Sequence, residues 1–138
     1  MKLLHRVGLI AALVGCAGTA LAHHSTAMFD MAKKVEYEGV VKEFQWTNPH
    51  TYTIVTVAGK NGGDYGLEGM SPNYLVRNGW TKHTLQPGDK VKVEVNPLKD
   101  GRKGGFMVSV TKESDGKLLY NLPHRDNPAD AAKAVQGR

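Results

Sequence analysis

Hydrophobic and polar residues alternate along several stretches of the chain, which predicts β-strands. Val91, Val93 and Val95 alternate with polar residues, a period typical of a strand with one buried face. Residues 106–110 repeat the pattern, so we expect Phe106, Val108 and Val110 to share one face. The strands are expected at residues 35–46, 52–57, 65–70, 91–95 and 106–110, with a short sixth at 118–120.

Glycine and proline divide this pattern. The alternation that starts at Val35 changes phase after Gly39, which predicts a β-bulge there. Ser71-Pro72 is a helix start and Gly79 a helix stop. We therefore expect a short helix over residues 71–78, with Leu75 and Val76 facing the core.

The order of elements predicts the fold class. Three strands, a short helix and two further strands, with a bent first strand, are typical of a mostly β, five-stranded Greek-key barrel of the oligonucleotide/oligosaccharide-binding (OB) type. An open sandwich would also hold these strands. The helix between strands 3 and 4 favours the barrel.

The N-terminal residues predict export. Lys2 and Arg6 precede a short apolar run that ends in Ala20-Leu21-Ala22, the pattern of a secretory signal peptide over residues 1–22. The apolar run is shorter than the roughly 20 residues of a membrane span. We expect a periplasmic protein without a transmembrane segment after cleavage.

Cleavage after Ala22 divides the chain into a lead at residues 23–33, a barrel domain at 34–122 and a flexible polar tail at 123–138. The alternative is lipidation, because Leu13-Val14-Gly15-Cys16 resembles a lipobox. A lipid anchor at Cys16 would remove the free N-terminus at His23.

Charge and motifs exclude several function classes. Loss of Lys2 and Arg6 leaves 16 basic and 13 acidic residues, a net charge of +3, without the clustered basic residues of a nucleic-acid binder. The chain has no phosphate-loop, haem or Cys/His zinc motif and no recognisable nucleophile context. An enzyme is therefore less expected than a binding protein.

Two histidines follow the predicted cleavage site. As the N-terminal residue, His23 would chelate a metal ion through its amine and imidazole, and His24 adds a second imidazole. Nitrogen ligands of this kind favour Cu(II), and Met28 offers a soft sulfur to Cu(I). The alternative is an accidental histidine pair that binds metal weakly.

His50 and Glu68 complete the predicted metal site. Asn48-Pro49 breaks the first strand immediately before His50, a position that presents an imidazole at a barrel rim. Glu68 lies in the third strand, where its carboxylate would bind the metal or orient a ligating histidine. The alternatives are a surface loop histidine and a solvent-facing strand residue.

Aromatic residues support a second interpretation without a metal. OB-type barrels commonly bind ligands or partners on strands 2 and 3, where Trp46, Tyr52 and Tyr65 would supply a stacking surface. Trp46 also fits a core position, since large aromatics in strands are usually buried. A third interpretation is an oxidative copper enzyme, because an N-terminal histidine that chelates copper resembles the copper brace of polysaccharide-cleaving enzymes.

Several motifs resemble a family of small exported bacterial proteins of unknown function. The most specific are Ala22-His23-His24-Ser25 and Trp46-Thr47-Asn48-Pro49-His50. Further matching positions are Phe29-Asp30, Gly39-Val40-Val41, Glu68 with Ser71-Pro72, Gly79-Trp80 and Leu85-x-Pro87-Gly88-Asp89. The resemblance spans about residues 22–120 and implies export and a shared fold, with no assigned activity.

The sequence thus predicts a periplasmic module that binds a transition metal, with copper as the expected cofactor, for buffering, delivery or sensing. Its expected partners are a metal ion or a periplasmic protein, and no nucleic acid. The alternative is a metal-free OB-type module that binds a ligand or a protein.

Overall fold

The computed structural model describes residues 26–122 of the 138-residue chain. A turn of 3-10 helix at Thr26–Met28 precedes six strands and one α-helix. In chain order these are β1 (Val35–Gln45), β2 (Tyr52–Val57), β3 (Gly63–Glu68), α1 (Pro72–Arg77), β4 (Lys90–Pro97), β5 (Gly104–Lys112) and β6 (Leu118–Tyr120).

The strands form a closed barrel. Their order is β3-β2-β1-β4-β5, with antiparallel neighbours throughout. A parallel pairing of Gly66–Glu68 with Gly104–Phe106 closes the barrel between β3 and β5. β6 pairs with the other end of β5. The predicted five-stranded barrel with one short helix between strands 3 and 4 is confirmed.

The bulge in β1 lies three residues beyond the predicted position. Gly39 pairs in regular register with both Val57 and Val91, and the register shift falls between Val41 and Glu43. Gly39 is instead a point of close approach, because a Cβ there would lie 2.5 Å from the carbonyl oxygen of Thr56. The prediction of a bulge at Gly39 was therefore wrong.

Helix α1 packs against the barrel core through Leu75. The Ser71 side chain accepts a hydrogen bond from the Tyr74 amide, and Gly79 follows with φ of 82°, so both predicted boundary signals act as expected. Leu75 is fully buried, but Val76 is 59% exposed. The expectation that Val76 faces the core was wrong, because a six-residue helix buries one narrow face and the next residue is rotated about 100° from it.

β5 is buried on both faces. A register shift between Glu94 and Val95 of β4 skips Val108, so Met107 and Val110 enter the barrel core. Phe106 is 4% exposed yet lies outside that core cluster. The predicted shared face of Phe106, Val108 and Val110 was wrong because the shift breaks the alternation.

Residues 26–33, here called the N-terminal segment, cover the outer face of the barrel at this place. The ring of Phe29 packs edge-on against Phe106, with ring centroids 5.4 Å apart, and Phe29 forms a β-bridge with Leu98. The buried Asn96 side chain donates a hydrogen bond to the carbonyl oxygen of Lys33 at 2.8 Å. The segment is therefore an integral part of the fold.

The predicted signal peptide, including Cys16, and the predicted polar tail lie outside the described residues. Within residues 26–122, α1 is the sole α-helix and is far too short to cross a membrane.

Candidate metal site

A tight connection between β1 and β2 positions His50. The Asn48–Pro49 peptide bond is cis, and the Thr47 hydroxyl donates a hydrogen bond to the carbonyl oxygen of His50 at 2.8 Å. Thr51 then extends the β2–β3 ladder, since its amide donates to Met70 and its carbonyl accepts from the Gly69 amide. The backbone of His50 is thus held from both sides.

The His50 imidazole is fixed by β3. Its Nδ1 atom lies 2.6 Å from the carbonyl oxygen of Gly69 and 3.3 Å from Oε1 of Glu68. A carbonyl oxygen only accepts hydrogen bonds, so Nδ1 carries the proton. In the neutral ring this tautomer gives the lone pair to Nε2, the arrangement typical of a metal-ligating histidine oriented by a carbonyl or carboxylate.

His50 and Glu68, predicted separately from the sequence, therefore lie together. The position of Glu68 beside Nδ1 favours an orienting role over direct ligation. Among residues 26–122, no three His, Cys, Asp or Glu side chains form a group that would hold a metal ion. His23 and His24 lie outside the described residues.

His50 and Glu68 border a cavity of about 240 Å³ on the outer face of the barrel, where β3 meets β5. We call it the site cavity. Its remaining walls are mostly apolar and come from the N-terminal segment, β5 and the residues that follow β3 and β6. The lining residues are Thr26, Phe29, Met31, His50, Glu68, Met70, Phe106 and Leu122.

The sequence did not point to Met31 and Met70, the two sulfur-bearing residues of the site cavity. Met70 had a usable signal, because it follows Glu68 by two positions and strand alternation places such residues on one face. Met31 had none, since its position depends on how the N-terminal segment folds back. Met28 is 52% exposed and is not among the residues that line this cavity.

The three aromatic residues predicted to bind a ligand lie apart. Trp46 is half-buried and packs edge-on against Phe44, with ring centroids 5.8 Å apart. Tyr52 is 39% exposed, and its hydroxyl lies directly over Gly66 on the outer face. Tyr65 is 8% exposed and points into the barrel core. They do not form one stacking surface.

Tyr65 instead borders a second cavity, of about 320 Å³, which we call the basic cavity. Its ring centroid lies 4.5 Å from that of Tyr37, and burial together with Tyr65 raises the pKa of Tyr37, so its hydroxyl stays protonated at neutral pH. Asp30 and four cationic residues also line the cavity; the cationic residues are Lys33, Lys99, Arg102 and Lys103.

Comparison with known proteins identifies a family. Searches of curated proteins and of solved structures gave no significant match. The model of the Family of unknown function (DUF6152) matches residues 11–108, more than half of the chain, and agrees with the resemblance to a family without assigned activity. The chain therefore belongs to this family of unknown function.

Proposed function

We propose that this protein is a periplasmic copper-binding module, in which His23 and His24 join His50 at the site cavity to buffer, deliver or sense the metal. One observation carries the proposal: Thr26 and His50 line the same cavity. His23 precedes Thr26 by three residues, which span at most about 10 Å when extended. If cleavage follows Ala22, the N-terminal chelate would begin within that distance of a residue that lines the cavity.

The local chemistry supports a nitrogen-rich site. The hydrogen bond to Gly69 gives the lone pair of neutral His50 to Nε2, and the nearby Glu68 carboxylate helps to orient the ring. An N-terminal amine and three imidazoles match the ligand preference of Cu(II). The rigid backbone around His50 lowers the entropic cost of assembling these ligands.

Export is part of the proposal. Signal cleavage after Ala22 would create the free amine of His23. Intact mass and N-terminal sequencing of protein recovered from the periplasm test this step. Lipidation at Cys16 would contradict it, because the amine would then be absent.

Titration with Cu(II) tests the site. In protein that begins at His23, we expect His50→Ala, or one extra residue before His23, to lower Cu(II) affinity at least tenfold. Glu68→Gln is expected to lower it about tenfold if the carboxylate orients His50. The matched control is His83→Ala, since His83 is exposed in a turn and does not line the site cavity. Unaltered affinity in both site variants would contradict the proposal.

The basic cavity favours a second candidate function, the binding of an anionic ring compound without a metal. Tyr37 and Tyr65 are the aromatic residues in its lining, and its four cationic side chains outnumber the one acidic side chain, Asp30, so they would attract a carboxylate or phosphate group. Titration with benzoate, followed by NMR, tests this candidate. Shifts confined to Tyr37 and Lys103 would support it, and their absence would remove it.

A further inference from the structure

We infer that the site cavity binds Cu(I), through the thioethers of Met31 and Met70 together with His50. The inference rests on the proposed copper-binding function and adds an oxidation state and two sulfur ligands. Its basis is a juxtaposition that the sequence pattern does not show: two methionines from distant parts of the chain line one small cavity with a fixed histidine.

The ligand set matches a soft metal ion. Thioether sulfur selects Cu(I) over harder divalent ions, and imidazole binds copper in either oxidation state. Met31 comes from the N-terminal segment, His50 from the connection between β1 and β2, and Met70 from the residues that follow β3. Three potential ligands from separate chain segments therefore border one cavity.

The surroundings also favour a monovalent ion. Phe29, Phe106 and Leu122 form apolar walls on one side of the cavity, where a charge is less well solvated than in water. Glu68 is the acidic residue among the lining side chains, and one carboxylate balances the single positive charge of Cu(I).

Hydrogen bonds with two buried asparagine side chains hold the backbones of both methionines. The Asn96 side chain lies 3.5 Å from the carbonyl oxygen of Met31, besides its shorter bond to Lys33. The Met70 amide donates a hydrogen bond to the buried side chain of Asn121. The backbones of both methionines are thus tied to the barrel by buried asparagines, which limits the freedom that metal binding would have to remove.

Replacement of the methionines by leucine tests the sulfur atoms, because it removes the thioether and keeps the side-chain volume nearly constant. Leucine and methionine are of similar volume, and such exchanges cost little stability. We would compare Met31→Leu/Met70→Leu with Met28→Leu, whose side chain is exposed and does not line the cavity. Cu(I) affinity would be measured without oxygen, by competition with a chromophoric Cu(I) chelator, in parallel with Cu(II) titration of the same variants.

A second measurement locates the metal on the sulfur atoms. Ag(I) is a redox-inert substitute for Cu(I), and binding shifts the NMR signals of methionine methyl groups. We expect the signals of Met31 and Met70 to shift and that of Met28 to stay.

The double variant should lose at least tenfold in Cu(I) affinity and keep its Cu(II) affinity, and Met28→Leu should bind both ions normally. The inference would be overturned if the original protein did not bind Cu(I). It would also be overturned if the original protein, the double variant and Met28→Leu bound Cu(I) with equal affinity. If Cu(II) affinity still depends on His50 in that case, the proposed function survives. If His50→Ala changes neither affinity, the proposed function fails as well.

Discussion

The side-chain oxygen of Asn121 accepts a hydrogen bond from the amide of Met70 at 3.2 Å, across a separation of 51 residues. The same side chain donates to the carbonyl oxygen of Met107 at 2.6 Å, and Asn121 is only 1% exposed. One buried amide group thus joins the end of β3, the middle of β5 and the chain beyond β6.

Asn121→Ala should destabilise the protein by about 2–4 kcal/mol, because it leaves a buried donor and a buried acceptor without partners. Urea unfolding followed by circular dichroism measures this change. Asn73→Ala, at an exposed position of α1, is the control and should alter the free energy of unfolding by less than about 0.5 kcal/mol. Equal stability of the two variants would contradict this role of Asn121.

The ion pair between Asp89 and Lys112 should make stability depend on pH. Their charged atoms lie 2.9 Å apart, and both side chains are largely buried. Burial opposes ionisation of Asp89, but hydrogen bonds from Lys112 and from the Gln86 amide outweigh it and lower the pKa of Asp89 from its usual 3.8. A lowered pKa in the folded state stabilises the fold above pH 3.8, and this contribution disappears as pH falls through the folded-state value.

Asp89→Asn should therefore cost about 1 kcal/mol at pH 7, and the difference from the original protein should shrink below pH 3.8. Thermal unfolding across this pH range measures the effect. A double-mutant cycle with Lys112→Gln isolates the pair. If the stability losses of the two single variants are additive, the ion pair is not the cause of the pH dependence. The same follows if the stability difference between Asp89→Asn and the original protein persists in acid.

Asn96→Ala should loosen the N-terminal segment more than the barrel. The Asp30 amide donates a hydrogen bond to the carbonyl oxygen of Pro97, and the Lys99 amide donates one to the carbonyl oxygen of Met28. We expect faster hydrogen exchange at these two amides than the global loss of stability explains, together with weaker copper binding. Val93, in the barrel core, provides the reference amide. A uniform acceleration at all three positions would argue against a local role for Asn96.

Neighbouring positions on α1 should respond very differently to truncation. Leu75→Ala removes a fully buried side chain and should cost about 2–5 kcal/mol. Val76→Ala changes an exposed residue and should stay within about 0.5 kcal/mol. Chemical denaturation of the two variants compares them directly. Similar losses would mean that α1 packs on the barrel with a different face.

Local patterns were sufficient to predict the barrel. Strand alternation, the Ser71 cap and Gly79 report on neighbouring residues, and the structure agrees with the elements that they indicate. Bulges were harder, because one extra residue costs little locally and its position depends on both partner strands. The prediction therefore misplaced the bulge after Val41 and missed the register shift between Glu94 and Val95.

The candidate site was predictable in part. His50 carries a strand-break signal and Glu68 an unusual polar strand position, and the structure brings these two side chains to 3.3 Å. The contribution of Met31 depends on tertiary contacts of the N-terminal segment with β4, which no short-range pattern encodes. Tyr65 looked like a surface aromatic, but the register of β3 turns its ring inward against Tyr37.

Thr26, in the N-terminal segment, and Leu122, which follows β6, border the same cavity. Detachment of the N-terminal segment, or of the residues after β6, would open the cavity while the barrel core stays intact. Opening therefore requires only local unfolding. A ligand in the cavity would bind only when both segments are attached, and it would therefore raise the free energy needed to detach them. By thermodynamic linkage, this increase equals the contribution of the attached segments to ligand affinity. Resistance to proteases at the N-terminal segment and at the residues after β6 would then report occupancy of the cavity, even for a ligand without colour or spin.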